Sequence, residues 1–241
     1  MAKVTVDGIS GLVGTVVMYN MNGKSYVRSR PKQRKKKRGA DERPENTIFG
    51  IVSKYGTRMI KGISQSFLFP FGLATYNTLR GWMHNQYAAH KDEALWELTA
   101  KRNSICQLNP EADLRDFIGM DLLVTDKGNG KLEVLFPSLD PGQDIKAPLR
   151  TKNINIKILA STATFGNTAY PNYICLEQYN LDYNGGIVPA KNIVLDTKAI
   201  TGDIGILLIA LEFETKDSGQ AIYNTERRWL PAAIIAMGKL K

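Results

Sequence analysis

The chain has 241 residues, with 32 Lys plus Arg against 23 Asp plus Glu and a formal net charge of +9. Apolar residues make up 43% and charged residues 23%, an ordinary globular composition that excludes a wholly disordered chain and suits one large domain or two small ones. The charge is uneven: residues 1–43 hold 11 bases and 3 acids, 44–110 hold 7 and 4, and 111–241 hold 14 and 16.

Asn22-Gly23 is a type I′ turn signal between two runs of β-branched and aromatic residues, Thr15 to Met21 and Lys24 to Arg30. A two-residue loop sets Met21 against Lys24, Tyr19 against Tyr26 and Met18 against Val27, so Lys24 and Arg28 share the face of Tyr19. Gly8, Gly11 and Gly14 precede this hairpin at three-residue spacing and read as a flexible or tightly turning lead-in. A phosphate-cradling loop needs a strand before its glycines and a helix after them, whereas here a strand follows. After Pro31 the sequence becomes almost purely basic. Lys24, Arg28, Arg30, Lys32, Arg34, Lys35, Lys36, Lys37 and Arg38 lie within fifteen residues that contain no acid. Such like charges repel and have no apolar face to bury, so an arm or linker is expected there.

Pro44-Glu45 suits a helix start. Ile48, Ile51, Val52, Tyr55, Met59 and Ile63 then recur at three- and four-residue spacing, predicting an amphipathic helix. An aromatic loop, Phe67 to Gly72, separates it from a second helix with Leu73, Tyr76, Leu79, Trp82, Met83 and Tyr87 on one side. A third is expected around Asp92 to Lys101. Aromatic stripes of this kind belong to packing faces more often than to base-stacking platforms.

Beyond Asn109-Pro110 strands dominate. Asp121 to Thr125 and Leu132 to Phe136 flank Lys127-Gly128-Asn129-Gly130, and Asn153 to Ile158 alternates strictly. Further strands are expected at Tyr173 to Tyr179, Asn192 to Leu195, Ile204 to Phe213, Ala221 to Tyr223 and Trp229 to Met237. Ile204 to Phe213 is apolar at both parities, which predicts a central strand covered on both sides. The fold class is therefore α+β: an N-terminal β-hairpin with a basic arm (1–43), a helical segment (44–110) and a C-terminal antiparallel β-sandwich of about eight strands (111–241).

Residue chemistry gives no enzyme class. His84 and His90 are six residues apart, a rotation of about 240° on a helix, so they cannot share a metal on one face. No zinc-protease, C-x-x-C, P-loop, nucleophile-elbow or kinase signature occurs. Cys106 and Cys175 have apolar or strand-like neighbours that favour buried inert thiols over a nucleophile or a single disulfide. Asp140-Pro-Gly-Gln-Asp144 carries two acids in a loop, for which turn chemistry is favoured over a cation or acid–base site. Arg227-Arg228 before Trp229 could meet an anion, but bases at a strand start are commonly solvated. No cofactor or metal is expected. No run approaches the roughly 20 apolar residues of a membrane helix. Gly8 to Met18 lacks the features of a signal peptide. The expected location is the cytoplasm, or a virion assembled there.

Gly11-Leu-Val-Gly14-Thr-Val-Val, followed by Gly23-Lys24-Ser-Tyr26-Val27-Arg28-Ser-Arg-Pro31, resembles the opening of an uncharacterised family common in Bacteroidota, a domain of unknown function. The likeness in layout continues into a helical segment and a β-rich C-terminal half. The chain departs from that pattern in its unbroken cluster Arg34 to Arg38. The resemblance implies a bacterial or mobile-element source and carries over no activity or catalytic residue.

Three functional expectations follow. The first is a non-enzymatic binding or assembly protein whose basic arm engages a polyanion, foremost nucleic acid, in a phage-like or other large assembly, with the nine bases from Lys24 to Arg38 as anchors. The second is a carbohydrate-binding or adhesion β-sandwich using Tyr170, Tyr173, Tyr179 and Tyr183. The third is a homo-oligomeric structural subunit whose N-terminal hairpin, too small to be stable alone, packs on the body or joins a neighbour's sheet.

Overall fold

A computed structural model describes residues 2–5, 8–21, 24–30, 49–50, 52–57, 63–68, 71–90, 105–164, 170–197, 204–217 and 220–240. The chain divides into two compact units, residues 1–42 and 43–241.

The first unit is a four-stranded antiparallel sheet in chain order: β1 (Ala2–Thr5), β2 (Gly8–Val13), β3 (Val16–Met21) and β4 (Lys24–Ser29). The hairpin register is the one its turn signal dictates, with Met21 opposite Lys24, Tyr19 opposite Tyr26 and Met18 opposite Val27. The glycine-spaced lead-in makes the tight turn at Gly14, but its earlier part is a paired strand, β2, preceded by a further strand, β1, neither of them expected from the sequence. Gly14, at φ 58°, turns the chain between β2 and β3, and Gly11 sits inside β2 at φ 119°. Both angles lie where side chains are penalised, so these glycines permit strand and turn rather than loosen them.

The second unit is built on a six-stranded antiparallel sheet. Its path is β5 (Cys106–Gln107), β13 (Ala232–Lys239), β11 (Ile204–Asp217), β8 (Thr151–Thr164) and β9 (Tyr170–Asp182), with β12 (Gln220–Tyr223) on the far end of β11. A three-stranded sheet, β10 (Lys191–Asp196), β7 (Lys131–Phe136) and β6 (Leu123–Asp126), accompanies it. The β6–β7 connection places Gly128, Asn129 and Gly130 at φ 77°, 55° and 73°, as its glycine-asparagine composition leads one to expect. Described helices are few: 52–57, α1 (Leu73–His90), and single turns α2 (Leu114–Phe117) and α3 (Pro141–Asp144). The class is α+β, mostly antiparallel strand. No described helix is long and apolar enough to cross a membrane.

Two cores lie on the two faces of the six-stranded sheet. Ile154, Ile156 and Ile158 of β8 and Leu207, Ile209, Leu211 and Phe213 of β11 join Val134, Phe136, Ile193 and Leu195 of the small sheet in one cluster. The opposite parity, Leu159, Ile204, Ile206, Leu208 and Ala210, joins Val52, Tyr55, Ile63, Leu79 and Met83 in the other. The strand apolar at both parities is thus covered on both faces. The helices pack against the sheet, and β5 continues it from within residues 44–110.

On α1 the buried line is Thr75, Leu79 and Met83, four residues apart, with Tyr76, Trp82 and Tyr87 beside it; Leu73 differs from expectation and is 67% exposed. The Thr75 hydroxyl donates to Leu108 O at 3.2 Å. Asn109, expected at a boundary, is a buried tie. Its side-chain amide donates to Arg227 O at 2.6 Å and Leu230 O at 2.9 Å, joining β5 to the turn that leads into β13. The third expected helix, Asp92 to Lys101, and the basic arm from Lys32 onwards lie outside the described residues.

One polar group is buried against the apolar pattern. Lys157 Nζ lies 2.6 Å from Glu212 Oε1 and donates to Ser66 O at 2.7 Å, while Asn155 Nδ2 donates to Glu212 Oε2 at 3.1 Å. Breaking a buried pair by removing one partner leaves an uncompensated charge, a loss of about 3–5 kcal/mol. Glu212→Ala is therefore expected to cost that much in urea unfolding, and Glu212→Gln less because its one carbonyl oxygen still accepts from Lys157 or Asn155, though not from both. A loss under about 1 kcal/mol for Glu212→Ala would show that the pair is solvated rather than buried.

Candidate polyanion-binding surface

Every residue of β4, from Lys24 to Ser29, is exposed. Such a strand gains its order from ladder bonds and cross-strand pairs rather than from burial. The Arg30 amide donates to Thr15 O at 2.7 Å and closes the ladder at its outer end, and Ser25 Oγ donates to Asn20 Oδ1 at 2.8 Å. Tyr19 and Tyr26 stack at 5.5 Å between centroids with 17° between planes, and the Arg28 guanidinium carbon lies 5.5 Å from the Tyr19 centroid.

Cross-strand register puts Val17 opposite Arg28 and Met21 opposite Lys24, so Lys24 and Arg28 occupy the same face as the tyrosine pair. Arg30 follows at the end of the strand. Among the described residues no carboxylate pairs with Lys24, Arg28 or Arg30, and the sequence from Gly8 to Ala40 contains no Asp or Glu. Lys32, Arg34, Lys35, Lys36, Lys37 and Arg38 lie outside the described residues. The sheet therefore brings Lys24 and Arg28 together on one face and delivers the chain, at Arg30, to the start of the basic run.

The other residues with chemical potential are engaged structurally. Asp140 caps α3, accepting from the Gly142 amide at 3.1 Å, while Asp144 accepts from the Asp140 amide at 2.7 Å. This is a reciprocal cap, in line with the turn reading. Arg227 pairs with Glu111 at 3.3 Å and Arg228 with Glu226 at 2.7 Å. His84 meets the edge of Phe49 at 5.3 Å. Tyr179 is buried, edge-on to Phe136, with Lys191 Nζ 4.3 Å from its ring centre. Tyr183 packs on the first core, and the side chains of Tyr170 and Tyr173 lie outside the described residues. Among the described residues no three His, Cys, Asp or Glu side chains stand close enough to hold a metal ion.

The Lys157–Glu212–Asn155 cluster was not legible as a site. Its residues fall on the polar half of an alternating strand, which ordinarily means solvent. The only sequence signal was the acid at Glu212 inside an otherwise apolar run.

Both cysteines are free thiols. They belong to different cores, Cys106 to the helix-side cluster and Cys175 to the margin of the other, so the sheet separates them and no bridge can join them. Burial pushes the Cys106 thiol up to about 12. Burial also raises Cys175, with the Glu177 charge adding to it and a hydrogen bond to the Asp196 backbone working against it. Neither is an activated thiolate. Because the unfolded thiol of Cys106 ionises first, its contribution to stability is complete below the free-thiol range and is lost as pH rises from there towards about 12. Iodoacetamide is expected to modify Cys175 slowly in the native protein and Cys106 only on unfolding, read by mass spectrometry. Rapid native labelling of Cys106 would contradict its burial.

No family model, curated protein or solved structure matches the chain.

Proposed function

We propose that this is a non-enzymatic binding or assembly protein whose basic N-terminal arm engages a polyanion, foremost nucleic acid. In this reading the three- and six-stranded sheets form a β-sandwich body that carries the arm. The opening motif supports membership of the Bacteroidota family it resembles, and with it a bacterial or mobile-element source.

The observation that carries the reading is the segregation of charge. Nine bases from Lys24 to Arg38 lie in a stretch without one acid, while residues 111–241 hold 14 bases against 16 acids. Lysines and arginines that neutralise phosphates release condensed counterions, and this supplies affinity independent of base sequence. Lys24, Arg28 and Arg30 support the same reading from the folded side, since they extend the cationic track along β4 without carboxylate partners among the described residues.

Replacing Lys32, Arg34, Lys35, Lys36, Lys37 and Arg38 together by serine is expected to weaken binding to a labelled oligonucleotide by at least about tenfold near physiological salt. The fold should be unaffected, because the replaced run contributes no apolar residue to either core. Unchanged affinity in fluorescence anisotropy would reject the arm as the binding element.

A further inference from the structure

We propose that Tyr19 and Tyr26, flanked by Arg28 and Lys24, form a stacking platform for the bases of single-stranded nucleic acid. This rests on the reading of the arm as a polyanion-binding element and names which form of nucleic acid the adjoining sheet accepts.

The first observation is exposure. Tyr19 is 36% and Tyr26 38% exposed, on a strand pair whose β4 member is exposed throughout. Aromatic side chains ordinarily bury most of their large apolar surface, so two that remain in water side by side hold area available to a partner. The second is geometry. The two rings are near-parallel with centroids 5.5 Å apart, the Arg28 guanidinium carbon lies 5.5 Å from the Tyr19 centroid, and Lys24 falls on the same face of the sheet. Among the described residues Tyr26 contacts no ring but Tyr19, and both tyrosines keep more than a third of their surface in water for another flat π-system. The third is charge. A ring pair with Lys24 and Arg28 on its face of the sheet, followed in sequence by an acid-free basic run, suits a ligand that alternates flat rings with phosphates.

Each base has a π-face, so such stacking tolerates sequence, while duplex bases are already stacked on one another and cannot reach the tyrosines. The tyrosines thus contribute affinity for single strands, and the arm contributes affinity for any polyanion. The two parts differ in what they recognise.

Fluorescence anisotropy with the full chain can separate them, using labelled oligo(dT) of about 20 nucleotides, a duplex of equal length, and heparin. The wild type is expected to prefer the single strand. Tyr19→Ala with Tyr26→Ala should weaken oligo(dT) binding by about tenfold or more and leave duplex and heparin binding unchanged, while the Tyr→Phe pair retains wild-type affinity. Tyr26→Leu, which keeps an apolar strand residue but no ring, should behave like the alanine pair and guards against simple loss of the sheet. If all three polyanions bind through the arm but the tyrosine variants match wild type, or if duplex binds as tightly as single strand, this inference fails alone. If none of the three binds, the polyanion reading fails with it. Tyrosine-dependent binding of an uncharged glucan in place of oligo(dT) would also overturn the proposal.

Discussion

The body is organised by one constraint: β11 is apolar at both parities and must be covered on both faces. From Ile204 to Phe213 only Gly205 and Glu212 interrupt the apolar run. Each fully buried Leu or Ile gains roughly 1.5–3 kcal/mol over exposure, so leaving either face open would forfeit several such contributions. The small sheet with α2 covers one face, and the helical stretch 52–57 with α1 covers the other. Gly205 fits the same demand for close packing, since a Cβ there would lie 2.8 Å from Leu240 Cδ2. Glu212 stands where the apolar run ends, and its charge is met from β8 by Lys157 and Asn155.

Elements whose local and tertiary preferences agree were legible in the sequence. The β3–β4 register followed from Asn22-Gly23 alone, and the two-sided burial of β11 followed from its composition. Interpretation failed where a residue's usual role was overridden by its surroundings. Gly11 and Gly14 read as a flexible or tightly turning lead-in; the turn is there at Gly14, but Gly11 lies inside a paired strand at positive φ. Asn109 marks a boundary in the sequence, but its amide satisfies two backbone carbonyls across 118 and 121 residues of sequence, a distance no local pattern encodes. The polar half of β8 looked solvated, yet Asn155 and Lys157 are enclosed. Of the candidate site, the tyrosine pairing and the sharing of a face by Lys24 and Arg28 could be read from the turn, whereas the stacking angle of the rings required coordinates.

The same accounting separates the cations. Five cations of the body sit beside carboxylates, Lys157 on Glu212, Lys127 on Glu133, Arg115 on Asp113, Arg227 on Glu111 and Arg228 on Glu226, while Lys146 and Lys191 lie over aromatic rings. Most of these pairs are exposed and contribute little to stability, but they leave little field for an anion to feel. Lys24, Arg28 and Arg30 have no such partner among the described residues, and the chain continues from them into the basic run. Polyanion binding would draw on this charge, which meets no carboxylate among the described residues, along a strand whose side chains are exposed.

The most direct test of that account is the salt dependence of oligonucleotide affinity for the full chain. If the consecutive bases Arg34 to Arg38 each neutralise a phosphate, log K against log salt should fall with a slope of about −3 or steeper on a single strand. A slope near zero would mean that binding, where it occurs, does not come from the arm's charge, and the account would be contradicted.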